Sequence, residues 1–402
     1  MRDRGTADAP WINTSDISDP VKRLRFLRLK MAELDAEERS KAAAPAPVKP
    51  PRRFPVRDLA WVVILLLVAL LPAVHSSGTA ETIRRERGLV LPGASPSLPS
   101  PPARVWLVEQ TPAEETYSNG LHIDLTFSVS NPVRKPFPVF PLNGGAQPTG
   151  YATQPVGIVY HSTESHLAPF EEEQNRRLKQ LGRNLLEGVR RERSYHYVID
   201  RFGRVYREVE ESAIAYHAGH SIWADPRGIY VSLNASFLGV ALEGRSDSAE
   251  AITDAQVSAL RMLTEMLRSR YTIPVENCVT HAQVSVNPSN MQIGFHVDWA
   301  AGFPFAALGL PDNYAQPPAS LWAFGFDVSP AFARLAHGGL TDAGLTHGDP
   351  THREWIGAEA AEQQVTRQAA AEGLARSHYR TILRHRYSDI ARALGEQPGN
   401  LE

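Results

Sequence analysis

A single cysteine, Cys278, stands in 402 residues, so no intramolecular disulfide can form. Stability has to come from a packed core, with or without a bound metal. One thiol does not fix the compartment either, because exported proteins often lack disulfides. An excess of charge is missing too: 42 basic and 44 acidic side chains leave a net charge of −2. That balance offers no electrostatic argument for a nucleic-acid partner. Internal repeats are absent, and only one long apolar run occurs. What is present is a 43% apolar composition in a length that suits two or three domains.

The apolar run is Leu59 to Val74, LAWVVILLLVALLPAV. As a helix it spans about 24 Å, slightly short of a hydrocarbon core of about 30 Å, and flanking residues or local thinning can absorb the difference. It has no polar face and lies between Pro-rich linkers, so residues 58–76 read as a transmembrane anchor rather than a buried soluble helix. Arg52, Arg53 and Arg57 precede it and favour an inside N-terminus. Arg84, Arg85 and Arg87 follow at a distance and weaken that bias. A cleaved signal peptide is the competing reading, but its basic n-region would be far longer than usual. Residues 1–57 then form a cytoplasmic, basic, Pro/Ala-rich segment. Inside it, Val21 to Lys41 has an amphipathic pattern with a basic first half, suited to an anionic membrane surface or to solvent. Residues 77–104 are a Pro/Ser-rich linker.

From Val105 the texture changes. Residues 105–150 read as a β-rich lead-in, with LHIDLTFSV (Leu121 to Val129) alternating apolar and polar as a half-buried strand does. Residues 151–310 alternate strands and helices. Val156 to Tyr160 is a buried strand ending at His161. Pro169 to Arg193 is helical, with Leu178, Leu181, Leu185 and Val189 on one face. SYHYVIDRFGRVYREV is a hairpin turning at Asp200 to Gly203, and Leu238 to Leu242 is a core strand. Thr253 and Gln256 form a capping box for a helix that stops near Tyr271. Asn277 to Thr280 is strand again. This order predicts an α/β fold with a mixed central sheet flanked by helices. Residues 311–402 form a helical C-terminal extension; Glu354 to Leu394 is Ala/Glu/Arg-rich with a break at Gly373, and its Arg376, Arg380, Arg384 and Arg386 suit a solvated face or an anionic polymer.

The chemistry concentrates in Cys278 to Trp299, CVTHAQVSVNPSNMQIGFHVDW, which holds His281, His296 and Asp298. His161 and His281 each end an apolar strand, and ligands collect at strand ends in α/β sheets. Two imidazoles and a carboxylate match a catalytic zinc site with one position left for water.

Several motifs in order resemble the zinc-dependent N-acetylmuramoyl-L-alanine amidases, which share a fold with the phage lysozyme-type amidases and the peptidoglycan-recognition proteins. They are GIVYHSTES, SYHYVIDRFGRVYREV, AYHAGHS, FLGVALEG, VTHAQVS and HVDWAAGFPF. The resemblance implies that His161, His281 and Asp298 hold Zn2+, that Tyr195 assists catalysis and that His217 lies beside the substrate groove. Three departures stand out. His296 replaces the family's lysine, which stabilises the charged intermediate. Ala241 occupies the place of the glutamate base of one branch, and Glu243, two residues on, is a candidate substitute. SVNPSNMQIG lengthens the segment between His281 and His296 into a loop over the site, a candidate lid. Trp223 is a candidate for the groove lining or for the core.

The resulting expectation is a membrane-anchored, exported cell-wall amidase in a bacterial inner membrane, single-pass with its N-terminus inside. Its partners would be peptidoglycan or muropeptides, and the lipid bilayer through one N-terminal helix. The alternative is a muropeptide-binding module of the same fold that does not cut, and a third reading is a zinc hydrolase acting on another amide.

Overall fold

The computed structural model describes residues 103–245, 252–329, 332–333, 335 and 356–395. The basic segment 1–57, the apolar run at 58–76 and all but the end of the linker lie outside the described residues. Among the described residues no helix is long and apolar enough to cross a membrane.

Three short strands lead in: β1 (Leu107–Gln110), β2 (Glu114–Tyr117) and β3 (His122–Asp124). The strand predicted to run on to Val129 stops at Asp124. There the Asp124 carboxylate accepts the Thr126 amide at 2.8 Å and the Thr126 hydroxyl at 2.6 Å, a side-chain turn that outcompetes the ladder. Val129 rejoins the fold through an isolated bridge to Val209. A hairpin of β4 (Phe137–Val139) and β5 (Gly150–Ala152) follows.

The central strand is β6 (Gly157–Ser162), buried at every position. Strand pairs buried on both faces read as continuous apolar runs, and β6 lies between two parallel neighbours. These are β11 (Phe237–Leu242) and β12 (Cys278–Thr280). The hairpin of β7 (Tyr197–Ile199) and β8 (Val205–Arg207) continues the sheet beyond β11, and β8 takes β3 in parallel. The order is β1-β2-β3-β8-β7-β11-β6-β12, a mixed eight-stranded sheet that the lead-in extends. A separate hairpin joins β9 (Ile222–Asp225) to β10 (Gly228–Val231).

Two long helices flank the sheet. In α1 (Asn175–Glu192) the buried stripe is Leu178, Gly182, Leu186 and Val189, with Leu181 and Leu185 half-buried beside it. The stripe is rotated from the predicted one because Gly182 faces inward, where the Glu243 carboxylate fills the space a Cβ would meet at 3.6 Å. In α2 (Asp254–Tyr271) the predicted capping box forms: Thr253 Oγ1 accepts the Gln256 amide and Gln256 Oε1 accepts the Thr253 amide, both at 3.1 Å. Leu260, Leu263 and Leu267 of α2 pack into one core with Ile158, Tyr160, Leu238 and Val240.

The next elements are α3 (His281–Val284), β13 (Val286–Asn287), β14 (Gln292–Ile293), α4 (Ala319–Phe324) and β15 (Asp327–Val328). The last are α5 (Ile356–Ala371) and α6 (Arg376–Ala393), separated at Gly373 with φ +66° as predicted. Phe324, Tyr387 and Ile390 join the main core, so these helices are not a detached extension. The arginines of α6 are occupied as well, contrary to a free basic face. Arg386 donates to the carbonyls of Pro141, Leu142 and Gly145, and Arg376 and Arg380 both reach Glu362.

Candidate metal centre

Strand register brings the two histidines together. His161 is the fifth residue of β6, and Thr280 of β12 pairs with Tyr160, so His281, opening α3, falls beside His161. Their ring centroids are 4.5 Å apart. Asp298 arrives from the loop after β14, its carbonyl accepting the Ala282 amide at 3.2 Å. All three side chains are buried, and their ligand atoms lie within 4.8 Å of one another.

The distances fit a small cation. Asp298 Oδ2 is 3.2 Å from Nδ1 of His161 and 3.2 Å from Nδ1 of His281. Ligand bonds of about 2.0 Å in a tetrahedral zinc site put neighbouring ligand atoms about 3.3 Å apart. Protonation fits too. Burial, then the neighbouring His281, pushes the His161 imidazole down to about 4, so it is neutral at pH 7. Burial alone would raise the Asp298 carboxyl, but His281 and the hydrogen bonds from both imidazoles outweigh it and hold the group far below the usual carboxylate range. His281 Nε2 is buried without a hydrogen-bond partner among the described residues.

Proton counting sharpens the fit. His161 Nε2 is 3.2 Å from His217 Nδ1, and His217 Nε2 is 3.3 Å from the Phe237 carbonyl. The line Phe237 O, His217, His161, Asp298 therefore has three polar contacts. Two neutral imidazoles supply two protons. Burial, then His161, holds His217 well below its ordinary value, so no third proton is available at neutral pH. If His217 donates to Phe237 O and His161 donates to His217, the lone pair of His161 Nδ1 faces an anionic oxygen. That contact calls for a cation. Gly239 makes room for the arrangement: a Cβ there would sit 2.5 Å from the His217 ring. His217 thus stands behind His161, buried, and its contact orients the His161 imidazole.

The other candidates divide. Tyr195 is half-buried with its ring 5.1 Å from His161. Burial, then the charge of Asp298, raises its phenol well above the usual range, so it stays protonated. His296 is exposed and stacks on His281 at 4.5 Å and 20°. The ring face stacked on His281 is the desolvated part of the otherwise exposed residue; that desolvation, then His281, pushes the imidazole down to about 4. Trp223 belongs to the core: it is 4% exposed and its indole donates to Asn277 Oδ1 at 3.0 Å, which removes it from the groove. Glu243 points at Gly182 of α1 and accepts the Arg201 amide at 3.1 Å. Expected as a substitute base, it lies just past the end of β11 at Leu242, with its carboxylate engaged by that amide. Sequence reasoning missed Ser285. It is fully buried, its amide donates to the His281 carbonyl at 2.9 Å, and its Oγ accepts the His296 amide at 3.0 Å. Only its place four residues after His281 pointed to it.

Residues 151–292 match the family model described as N-acetylmuramoyl-L-alanine amidase. This stretch belongs to the N-acetylmuramoyl-L-alanine amidase family. The match takes in His161, Tyr195, His217 and His281, and Asp298 follows just beyond its end. Three solved structures are similar. The amidase LysC from Clostridium intestinale URNW is 26% identical, over 41% of this chain and 90% of that one, with a TM-score of 0.26. AmiD from E. coli, in complex with anhydro-N-acetylmuramic acid-L-Ala-D-gamma-Glu-L-Lys, is 23% identical, over 55% and 91%, with a TM-score of 0.35. AmpDh3 from Pseudomonas aeruginosa is 18% identical, over 55% and 95%, with a TM-score of 0.36. The family assignment rests on the family model. No curated protein matches the chain.

Proposed function

We propose that the protein hydrolyses the amide between the lactyl group of N-acetylmuramic acid and L-alanine in peptidoglycan, with zinc held by His161, His281 and Asp298. The observation that carries this reading is the buried pair of imidazoles within the amidase-family match, joined by the Asp298 carboxylate just past its end, at the spacing of a tetrahedral site. Bound zinc would acidify a water and polarise the scissile carbonyl. Tyr195, kept protonated, is suited to donate a hydrogen bond to the oxygen that gains charge. His296, neutral at pH 7, can donate one N–H or take a proton, and hand it to the leaving amine. It cannot supply the fixed positive charge that a lysine would. With Glu243 turned toward α1, proton transfer falls to His296 and Tyr195.

The membrane anchor at 58–76, the export of the domain and a bacterial inner-membrane location belong to the same proposal, and rest on the apolar run and the arginines before it. The second reading, muropeptide binding without cleavage, draws on Ala241, which sits in register with His161 and offers no carboxylate. Comparing the wild-type protein with Asp298→Ala on purified muropeptides separates the two. Peptide released with a free N-terminal alanine by the wild type alone supports the amidase. Binding without release by the wild type leaves the module.

A further inference from the structure

The loop that carries His296 and Asp298 is secured from an unexpected direction. It leaves a hairpin in which Val286 pairs with Ile293 and Asn287 with Gln292. The third strand of that small sheet is β15, from the C-terminal part of the chain: Gln292 pairs with Asp327 and Ile293 with Val328, in parallel. The Asp327 amide donates to the Met291 carbonyl at 2.8 Å. His296 and Asp298 come three and five residues after Ile293.

The Asp327 side chain faces α6. Arg380 donates to Oδ1 and Arg384 to Oδ2, the latter at 2.7 Å. Arg384 Nε also donates to the Gly325 carbonyl at 2.9 Å, and Arg380 reaches Glu362 on α5. One carboxylate between two guanidinium groups fixes both the position and the rotation of β15. The Phe332 ring packs against Gly294, where a Cβ would meet it at 2.2 Å. The Asp327 side chain is 44% exposed and that of Arg384 37%. Ion pairs this exposed add little to global stability. What the clamp supplies is the placement of β14 and of the loop that follows it.

We propose that Asp327, held by Arg380 and Arg384, is a positioning residue for the metal centre, setting the reach of the loop that delivers His296 and Asp298. This rests on the metal reading of the site. The test uses the full chain, stripped of metal. Zinc affinity is measured by competition with a chromophoric chelator, and the visible spectrum is recorded with Co(II) in place of zinc. Asp327→Ala is expected to bind zinc about ten-fold more weakly and to shift the Co(II) bands, with unchanged far-UV circular dichroism. Asp327→Glu, which keeps the carboxylate, should recover most of the affinity. Asp389→Asn neutralises a carboxylate on the same helix, paired with Arg392 at 3.1 Å, and should match the wild type. Wild-type affinity and spectrum in Asp327→Ala, or an equal loss in Asp389→Asn, would overturn the inference. If Asp327→Ala does not fold, Arg384→Gln, which removes one arm and leaves Arg380, decides by the same criteria. A wild-type chain that binds no zinc overturns the metal reading and the inference with it. That result is distinct from a wild type that binds and a variant that binds equally well.

Discussion

His217→Ala tests the proton count behind the metal centre. The substitution removes the acceptor 3.2 Å from His161 Nε2 and the donor 3.3 Å from the Phe237 carbonyl. His161 is 1% exposed, so no bulk water replaces the lost partner. A buried N–H left unsatisfied costs about 1–3 kcal/mol, and the cavity left over Gly239 adds to it. His161 also loses what fixes its tautomer, so its proton can move to Nδ1, the nitrogen that faces Asp298. Loss of such an outer partner weakens metal binding by about 10–100-fold, or about 1.4–2.7 kcal/mol. The backbone bond from the His217 amide to Asn234 Oδ1 is untouched, so the turn should persist. The assay is a zinc competition titration with a melting curve of the metal-free protein beside it. His217→Gln, which offers a carbonyl oxygen as acceptor, should recover part of the affinity. A His217→Ala protein that folds and binds zinc as tightly as the wild type would refute the wiring.

Three further outcomes follow from the same geometry. Glu208 is fully buried, neither carboxylate oxygen has a hydrogen-bond partner among the described residues, and burial pushes it up to about 8. Folded chains then keep a proton that unfolded chains lose above about 4.5, so stability falls as pH rises from there toward 8; Glu208→Gln should raise the melting temperature by an amount that grows with pH, and an equal difference at pH 5 and pH 9 would contradict this. Zinc should stay bound at pH 6 and leave as the pH drops toward 4, where His161 gains its proton, as followed by dialysis and metal analysis; retention at pH 3 would oppose the ligand assignment. Trp223→Phe should lower the melting temperature through loss of the bond to Asn277 and leave KM unchanged; a rise in KM with unchanged stability would return Trp223 to the groove.

Much of the fold is written in local pattern. The fully apolar runs ending at His161 and Leu242 became the buried parallel strands β6 and β11, and Thr253 with Gln256 capped its helix as the sequence required. Misses occurred where a side chain competed with the backbone or where a distant partner decided the outcome. Asp124 ended a strand that alternation alone would have continued. Trp223 has an amphipathic ring that suits groove or core, and only Asn277, far along the chain, decides between them. Glu243 obeys the two-residue period of a strand only while the strand lasts, and β11 ends at Leu242. The sequence placed His161 and His281 at strand ends, and the structure brings both together with Asp298 as a group that could hold a metal ion. The surroundings were less so: His217 was found only through the family resemblance, and the contacts of Ser285 with His296 and of Asp327 with Arg380 and Arg384 join segments that no local pattern relates.

The most direct test of the account is the product of digesting purified peptidoglycan sacculi with the wild-type protein, read by mass spectrometry, with and without a zinc chelator and with zinc restored. The account predicts free stem peptides beginning at L-alanine, absent with chelator and restored by zinc. Intact sacculi in the presence of bound zinc, or the same peptides released regardless of the chelator, would contradict it.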